Sequence, residues 1–218
     1  MVRQGQSGLP WSKEGRLLWQ EVRPQAVVFG VDEVGRGCLA GPVVAGACYL
    51  HHEQDDAHFL DSKAITSSLR SSTSEIISQR HSFSIGMASS QEIDEINILQ
   101  ASFLAMFRAI TELSQKINVK ADLILVDGPY GIPQWNHCQQ LAIVKGDQLA
   151  PPIAAASIVA KVTRDRYMVS LGKQAEFSAY GFATHKGYGT KAHRQAIAEY
   201  GLSPQHRRSF CRNLRRGK

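Results

Sequence analysis

Three short apolar runs in this chain each lead into a carboxylate, and that punctuation constrains the fold more than any other feature. AVVFGV at 26–31 runs into Asp32 and Glu33, LILV at 123–126 into Asp127, and LAIV at 141–144 into Asp147 after Lys145-Gly146. Short apolar runs rich in Val, Ile and Leu read as strands, the continuous ones as strands buried on both faces. In open sheets, residues just beyond strand ends gather in the crevice where ligands bind. Carboxylates converging there would repel one another. Hard divalent cations, with their preference for oxygen ligands, resolve that conflict.

The remaining elements follow from periodicity and caps. Val43 to Leu50 and Ser82 to Ala88 add two strands, and the Gly41-Pro42 step makes the first two an antiparallel pair. Ser89 with Glu92 forms a capping box that opens a helix reaching about Ile117. Its Leu99, Phe103, Met106, Phe107, Ile110, Leu113 and Ile117 recur at three and four spacing, one apolar face for the core. The serine-rich patch from Ser67 to Ser74 reads as a solvated helix start. Pro151-Pro152 leads into a helix from Ile153 to about Leu171, and a last helix spans Lys191 to Tyr200, stopped by Gly201 and Pro204. Three strands followed by helix, strand, strand and helix predict an α/β fold, a mixed sheet with helices on its faces. Residues 1–24 read as an arm in which Trp11, Leu17, Leu18 and Trp19 can dock, 25–171 as the core, and 172–218 as a basic helical end.

Charge points to the partner. The chain carries a net +6 with a pI near 9.3, which favours nucleic acid first and an anionic membrane surface second. Nine Lys or Arg and one acid, Glu199, give residues 186–218 a net +8, leaving −2 on residues 1–185. A basic tail on a slightly acidic body suits a protein that grips phosphates near an acidic site. Cys38, Cys48, Cys138 and Cys211 are scattered with no C-x-x-C pair, against zinc and against a disulfide framework. With no signal-like or membrane-spanning apolar stretch, the expectation is a cytoplasmic monomer without a membrane partner.

Neighbouring side chains on a strand point to opposite faces, so Asp32 and Glu33 can share a metal only if the chain bends, and Gly30 and Gly35 permit a bend there. Asp127 alone, before Gly128-Pro129, suits an ordinary turn. His51, His52 and His58, beside Asp55 and Asp56, read as a solvated loop rather than a metal site.

The set DEVGRG at 32–37, DSK at 61–63, NILQA at 97–101, LVDG at 125–128, VKGD at 144–147, AAASIVAKVTRD at 154–165, YGFATHKGYGT at 180–190 and HRRSF at 206–210 resembles bacterial ribonuclease HII, in order and over nearly the whole folded chain. The resemblance implies a ribonuclease H-like five-stranded mixed sheet with a small basic helical extension. It implies cleavage of the RNA strand of RNA/DNA hybrids and incision 5′ of single ribonucleotides in duplex DNA, leaving a 3′-hydroxyl and a 5′-phosphate. By the same resemblance Asp32, Glu33, Asp127 and Asp147 are the catalytic, metal-binding acids for Mg2+ or Mn2+, two ions with substrate bound. Asp165 is the rival for the fourth place; it lies more than three turns into a helix, with Lys161 and Arg164 as ordinary surface partners. Gly35, Arg36, Gly37 and Tyr188 are implied to recognise the ribonucleotide. Arg36 alone could equally be a phosphate clamp or a partner of the acids, and Tyr188 alone a structural tyrosine. Lys63, Lys186, Arg207 and Arg208 are candidate phosphate contacts. Cys38 stands where the family usually has proline, and Pro151-Pro152 replaces more polar residues. A non-catalytic nucleic-acid-binding module and another nuclease of the same fold are the competing readings. Acids at a phosphate-contact site speak against the first, and the GRG loop with Tyr188 against the second.

Overall fold

A computed structural model describes residues 9–13, 15–51, 59 and 66–216. The expected Lys63 contact, the DSK motif, and His52, His58, Asp55 and Asp56 lie outside the described residues. The elements run α1 (Trp19–Val22), β1 (Val28–Val34), β2 (Val43–Tyr49), α2 (Ser67–Arg80), β3 (Ser82–Ala88), α3 (Ser90–Ile117), β4 (Leu123–Asp127), β5 (Gln139–Ile143), α4 (Gly146–Leu149), α5 (Pro151–Gly172), α6 (Phe182–His185) and α7 (Lys191–Tyr200). Two short 3-10 turns, Ser178–Tyr180 and Arg212–Arg216, flank α6 and α7.

The five strands form one sheet in the order β3-β2-β1-β4-β5. β1 and β2 pair antiparallel, as do β2 and β3, whereas β4 joins β1 and β5 joins β4 in parallel. The sheet is therefore mixed, as the sequence predicts. β4 is buried along its apolar length, while β5 is an edge strand of intermediate exposure rather than the doubly buried strand expected of LAIV.

Each face of the sheet carries one long helix. Phe29 and Val31 of β1 and Ile124 and Val126 of β4 pack with Phe103, Met106, Ile110 and Leu113 of α3. Val28 and the alternate β4 residues Leu123 and Leu125 pack with Ile153 to Val159 of α5, together with Leu17 and Trp19 of the N-terminal segment. Fully burying a side chain such as Ile110 or Leu113 contributes about 1.5–3 kcal/mol, so these two layers dominate the stability of the sheet. The Ser89–Glu92 capping box forms as expected, but α3 is not continuous. Asn97 adopts φ 67°, and its Oδ1 accepts from the Leu99 and Gln100 amides at 3.0 and 3.2 Å, capping the long second part of the helix. Asn tolerates this left-handed backbone better than other side chains.

The serine-rich patch extends further than a helix start. It becomes all of α2, capped by Thr66, with Thr73 Oγ1 bonding back to the Leu69 carbonyl at 2.8 Å. Such internal bonds let a Ser/Thr-rich segment stay helical.

β1 approaches α5 without a side chain between them. A Cβ on Gly30 would lie 2.0 Å from the Pro152 carbonyl carbon. The two prolines occupy the first turn of α5, where their missing amides are no loss. The C-terminal segment forms a third cluster, with Phe177, Tyr180, Phe182 and Ala196 against Met168 and Leu171 of α5 and Ala40 of the β1–β2 connection.

Inside that cluster His193 and His206 are buried, and burial pushes both imidazoles down to about 4. The unfolded chain therefore binds protons that the fold refuses between pH 6.5 and 4. Stability should be fully present above about pH 6.5 and fall as the pH drops towards 4. Thermal melts at pH 7, 6 and 5 test this, and an unchanged midpoint across that range would show that the histidines are not held neutral.

Candidate active site

Strand register builds the acidic centre. In the parallel β1–β4 pair Val31 sits opposite Val126, so Asp32 inside β1 and Asp127 at the end of β4, one residue on, come level where that pairing stops. Neighbouring strands lie about 4.8 Å apart. Alternation puts both side chains on the α5 face, the face of Val28, Leu123 and Leu125. The bend expected between Asp32 and Glu33 is absent. β1 pairs regularly through Glu33↔Ala45 and Val34↔Val44, and the turn comes only after the strand, at Gly35 with φ +93°. Glu33 starts from the other face, yet it lines the same cleft at the end of the sheet.

That cleft measures about 300 Å³ and is lined by Asp32, Glu33 and Asp127 together with Arg70, Ser157, Lys161 and Tyr188. Burial first, then the charges of Asp127 and Glu33, raise the Asp32 carboxyl well above the usual range, against hydrogen bonds from Ser157 and the Glu33 amide at 2.7 Å. Burial also raises Glu33, with Arg36 pulling it back. Arg36 Nη1 pairs with Glu33 Oε1 at 3.0 Å while half exposed. The Glu33 side chain is largely buried in this pair, so Arg36 can turn to another anion only where another cation takes its place at the carboxylate.

Among the described residues no group of three or more His, Cys, Asp or Glu could hold a metal ion as it stands. The donor set still fits a hard dication. Magnesium is usually bound by one or two carboxylates, waters and substrate phosphate rather than by an all-protein cage, and the buried Asp32 beside the partly buried Asp127 supplies a pair whose repulsion a cation would relieve.

The other expected acids separate clearly. Asp147 is buried in α4 and does not line the cleft, but its amide donates to Asp127 Oδ1 at 3.3 Å. Lys145, at φ 61°, turns the chain so that Asp147 returns beneath Asp127. Asp165 pairs with Lys161 at 2.7 Å and faces a neighbouring hollow of about 430 Å³ with Arg70, Arg166, Lys173 and Lys186. The larger hollow holds four cations and one acid, the smaller cleft three acids and two cations, so the acidic centre is the smaller.

Two buried arginines correct the sequence reading. Arg207 is fully buried and cannot touch phosphate; its Nε and Nη1 donate to the carbonyls of Gly41 at 3.0 Å and Arg36 at 2.8 Å. Burial lowers it to about 10. Arg164 is no surface partner of Asp165. It too is fully buried, and it donates to Pro42, Ala40 and Lys186 carbonyls at 3.0, 3.1 and 2.9 Å. A Cβ on Gly35 would lie 2.2 Å from Arg164 Nε, so glycine is needed there for space as well as for its turn. Arg36 and Gly37 remain exposed at the loop tip, and Arg208 is exposed on the 206–210 segment. The Lys186 ammonium folds back onto the Ala183 carbonyl beside the larger hollow.

Tyr188 is 41% exposed. Lys161 Nζ lies 5.8 Å and Arg164 Cζ 5.9 Å from its ring centre, and burial first, then the neighbouring Cys38 thiol, raises its phenol above the usual range. Ser157, Lys161, Arg164 and Arg70 are the site residues missed from sequence. The first three recur at spacings of four and three on a helix of otherwise small and apolar residues, a polar stripe that marks a face turned to something other than core.

A family model described as Ribonuclease HII matches residues 29–213. The chain belongs to the ribonuclease HII family. It is 51% identical over 193 residues to the Ribonuclease HII of Zymomonas mobilis, covering 88% of each chain. The crystal structure of ribonuclease H2 from Pyrococcus horikoshii superposes with a TM-score of 0.67 at 25% identity, over 86% of this chain and 96% of that one. Bst-RNase HIII, solved in complex with Mn2+, shares the fold at a TM-score of 0.63 and 17% identity, over 80% of this chain and 70% of its own. As a ribonuclease HII the chain is an endoribonuclease, and among its described residues no helix is long and apolar enough to cross a membrane.

Asp127→Asn removes the charge that presses on Asp32 while keeping the acceptor for the Asp147 amide. Without added metal, the thermal midpoint should rise by roughly 2–4 °C for each kcal/mol of repulsion relieved. A lower midpoint in differential scanning calorimetry would contradict a repulsive pair.

Proposed function

We propose that this ribonuclease HII cleaves the RNA strand of RNA/DNA hybrids and also incises duplex DNA on the 5′ side of a single embedded ribonucleotide, leaving a 3′-hydroxyl and a 5′-phosphate. The observation that carries this is the placement of Asp32 and Asp127 on adjacent strands in one cleft with Tyr188. Asp32, Glu33 and Asp127 hold Mg2+ or Mn2+, two ions with substrate, and Asp147 supports Asp127 from beneath. Such ions, when bound, supply an activated water and charge stabilisation at the leaving oxygen.

The chain's own residues position the substrate. The half-exposed Tyr188 ring stacks on the sugar at the cut. The exposed Arg36-Gly37 backbone meets the minor-groove edge, since a Cβ on Gly37 would find nothing within 4 Å and no side chain intervenes. The 2′-hydroxyl is the group that separates RNA from DNA there. Arg36 can exchange its pairing with Glu33 for phosphate once a metal ion takes its place at that carboxylate. Arg208 and the exposed Lys191, Arg194 and Arg212 neutralise backbone phosphates, so binding weakens steeply with salt.

Incubation with a labelled duplex containing one ribonucleotide should give a single cut 5′ of it, seen only with magnesium or manganese. Cutting without metal, or none with it, would reject the assignment. Asp127→Asn should abolish cleavage and leave duplex affinity unchanged in a gel-shift assay. Tyr188→Ala should slow incision at a lone ribonucleotide far more than it weakens binding, and an equal modest loss on every substrate would reduce Tyr188 to a structural residue.

A further inference from the structure

The segment that carries Tyr188 to the cleft is held by three histidines outside the acidic centre. Lys186 and Gly187, just before Tyr188, both have left-handed backbone, at φ +53° and +84°, so no regular element fixes the approach. Side-chain partners do, and they also fix where each proton sits.

A carbonyl can only accept. His193 Nδ1, 2.9 Å from the Tyr188 carbonyl, therefore carries the hydrogen, and its Nε2 is a lone pair. A backbone amide can only donate. Ser203 N–H donates to His206 Nδ1 at 2.9 Å, so the His206 hydrogen is on Nε2. His206 Nε2 and His193 Nε2 are 3.0 Å apart, and the two assignments agree, with His206 donating to His193. The chain of bonds runs one way, from the Ser203 amide through two neutral imidazoles to the Tyr188 carbonyl. His185 repeats the pattern on the other side of the segment. Its Nε2 donates to the Tyr180 carbonyl at 2.7 Å, its Nδ1 accepts from the Gly187 amide at 3.2 Å, and its ring stacks on His193 with centres 4.2 Å apart.

We propose that His193 and His206 are positioning residues for Tyr188, a directional relay that pins its backbone carbonyl and thereby sets the angle at which its ring enters the cleft. The role rests on Tyr188 reading the ribonucleotide, as proposed above. A packing role would need only the rings. Phe182 meets His193 edge-on at 5.5 Å and Tyr180 meets His206 at 4.9 Å, and those contacts survive replacement of the nitrogens by carbon. The relay needs the nitrogens, each in one protonation state, because a second proton on either ring would set two N–H groups against each other.

The test compares wild type with His193→Phe, His193→Gln, Tyr188→Ala and the double variant Tyr188→Ala/His193→Phe on a duplex with one ribonucleotide. His193→Phe keeps the ring and removes both nitrogens; it should lower single-turnover cleavage roughly 10–100-fold with duplex affinity unchanged. His193→Gln, whose amide offers one donor and one acceptor, should recover part of that loss. In the Tyr188→Ala background His193→Phe should add nothing, because the residue it positions is gone. Nitrogen-detected NMR of the wild-type imidazoles at pH 7 should find His193 protonated at Nδ1 and His206 and His185 at Nε2, and this decides the matter even if the Phe variant does not fold. Opposite tautomers, full cleavage by a folded His193→Phe, or losses that multiply in the double variant would each overturn the relay. A Tyr188→Ala that cuts normally would instead overturn the reading of Tyr188, and the relay's purpose with it, whatever the tautomers.

Discussion

Two guanidinium groups with no access to water hold this site together. Arg164 from α5 and Arg207 from the C-terminal segment send their N–H groups into the carbonyls of Arg36, Ala40, Gly41, Pro42 and Lys186. Buried cations are tolerated when their donors are satisfied, and loops are tolerated inside a protein when their carbonyls are. Each goes far towards solving the other's problem, although Nη2 of Arg207 is buried with no partner among the described residues. The β1–β2 connection bonds through its main chain to Gly187, Gln205 and Arg207, with an isolated bridge of Ala40 to His206, and two side chains distant in sequence satisfy further carbonyls. The segment leading to Tyr188 is tied to the same pair through Lys186, so the loop bearing Arg36 and the loop bearing Tyr188 share one anchor.

The acidic centre rests on a different principle. Its geometry comes from main-chain pairing, since the Val31↔Val126 register alone brings Asp32 and Asp127 level. Its energetics are unfavourable in isolation, as the raised Asp32 carboxyl shows. A rigid sheet thus holds side by side, Asp32 buried and Asp127 partly so, a pair of groups that a free chain would separate. Hydrophobic layers on both faces, α3 on one and α5 on the other, supply the stability that keeps them there.

Much of this could be read from the sequence because it is local. The strands, the Ser89–Glu92 box, the proline-led α5 and the helix stopped at Gly201 each depend on neighbours within a few residues, and each appears where expected to within about three residues. What could not be read depends on partners far along the chain. Arg207 and Arg208 are adjacent and chemically alike, yet one is sealed against Gly41 and Arg36 and the other is exposed; nothing near them in sequence tells which. Arg164 was misplaced for the same reason, its acceptors being 22 to 124 positions away. The bend expected at Asp32-Glu33 followed correctly from strand alternation, but it assumed that both acids must serve from one face. A cleft at the end of a sheet is open to both faces, so regular geometry suffices. LAIV, with no polar residue, reads as a strand buried on both faces, and an edge position can be recognised only from the sheet order.

The near-contact of β1 with α5 has a consequence for how this protein can drift. At Gly30 the obstacle to a larger residue is main chain, the carbonyl group of Pro152, and not a side chain that could shrink in exchange. No second substitution on the helix can therefore create room, as it could in an ordinary core where volume is traded between neighbours. The depth at which Ser157 meets Asp32 is set by a methyl group that must stay missing, and every descendant lineage that keeps this cleft inherits the same closed position.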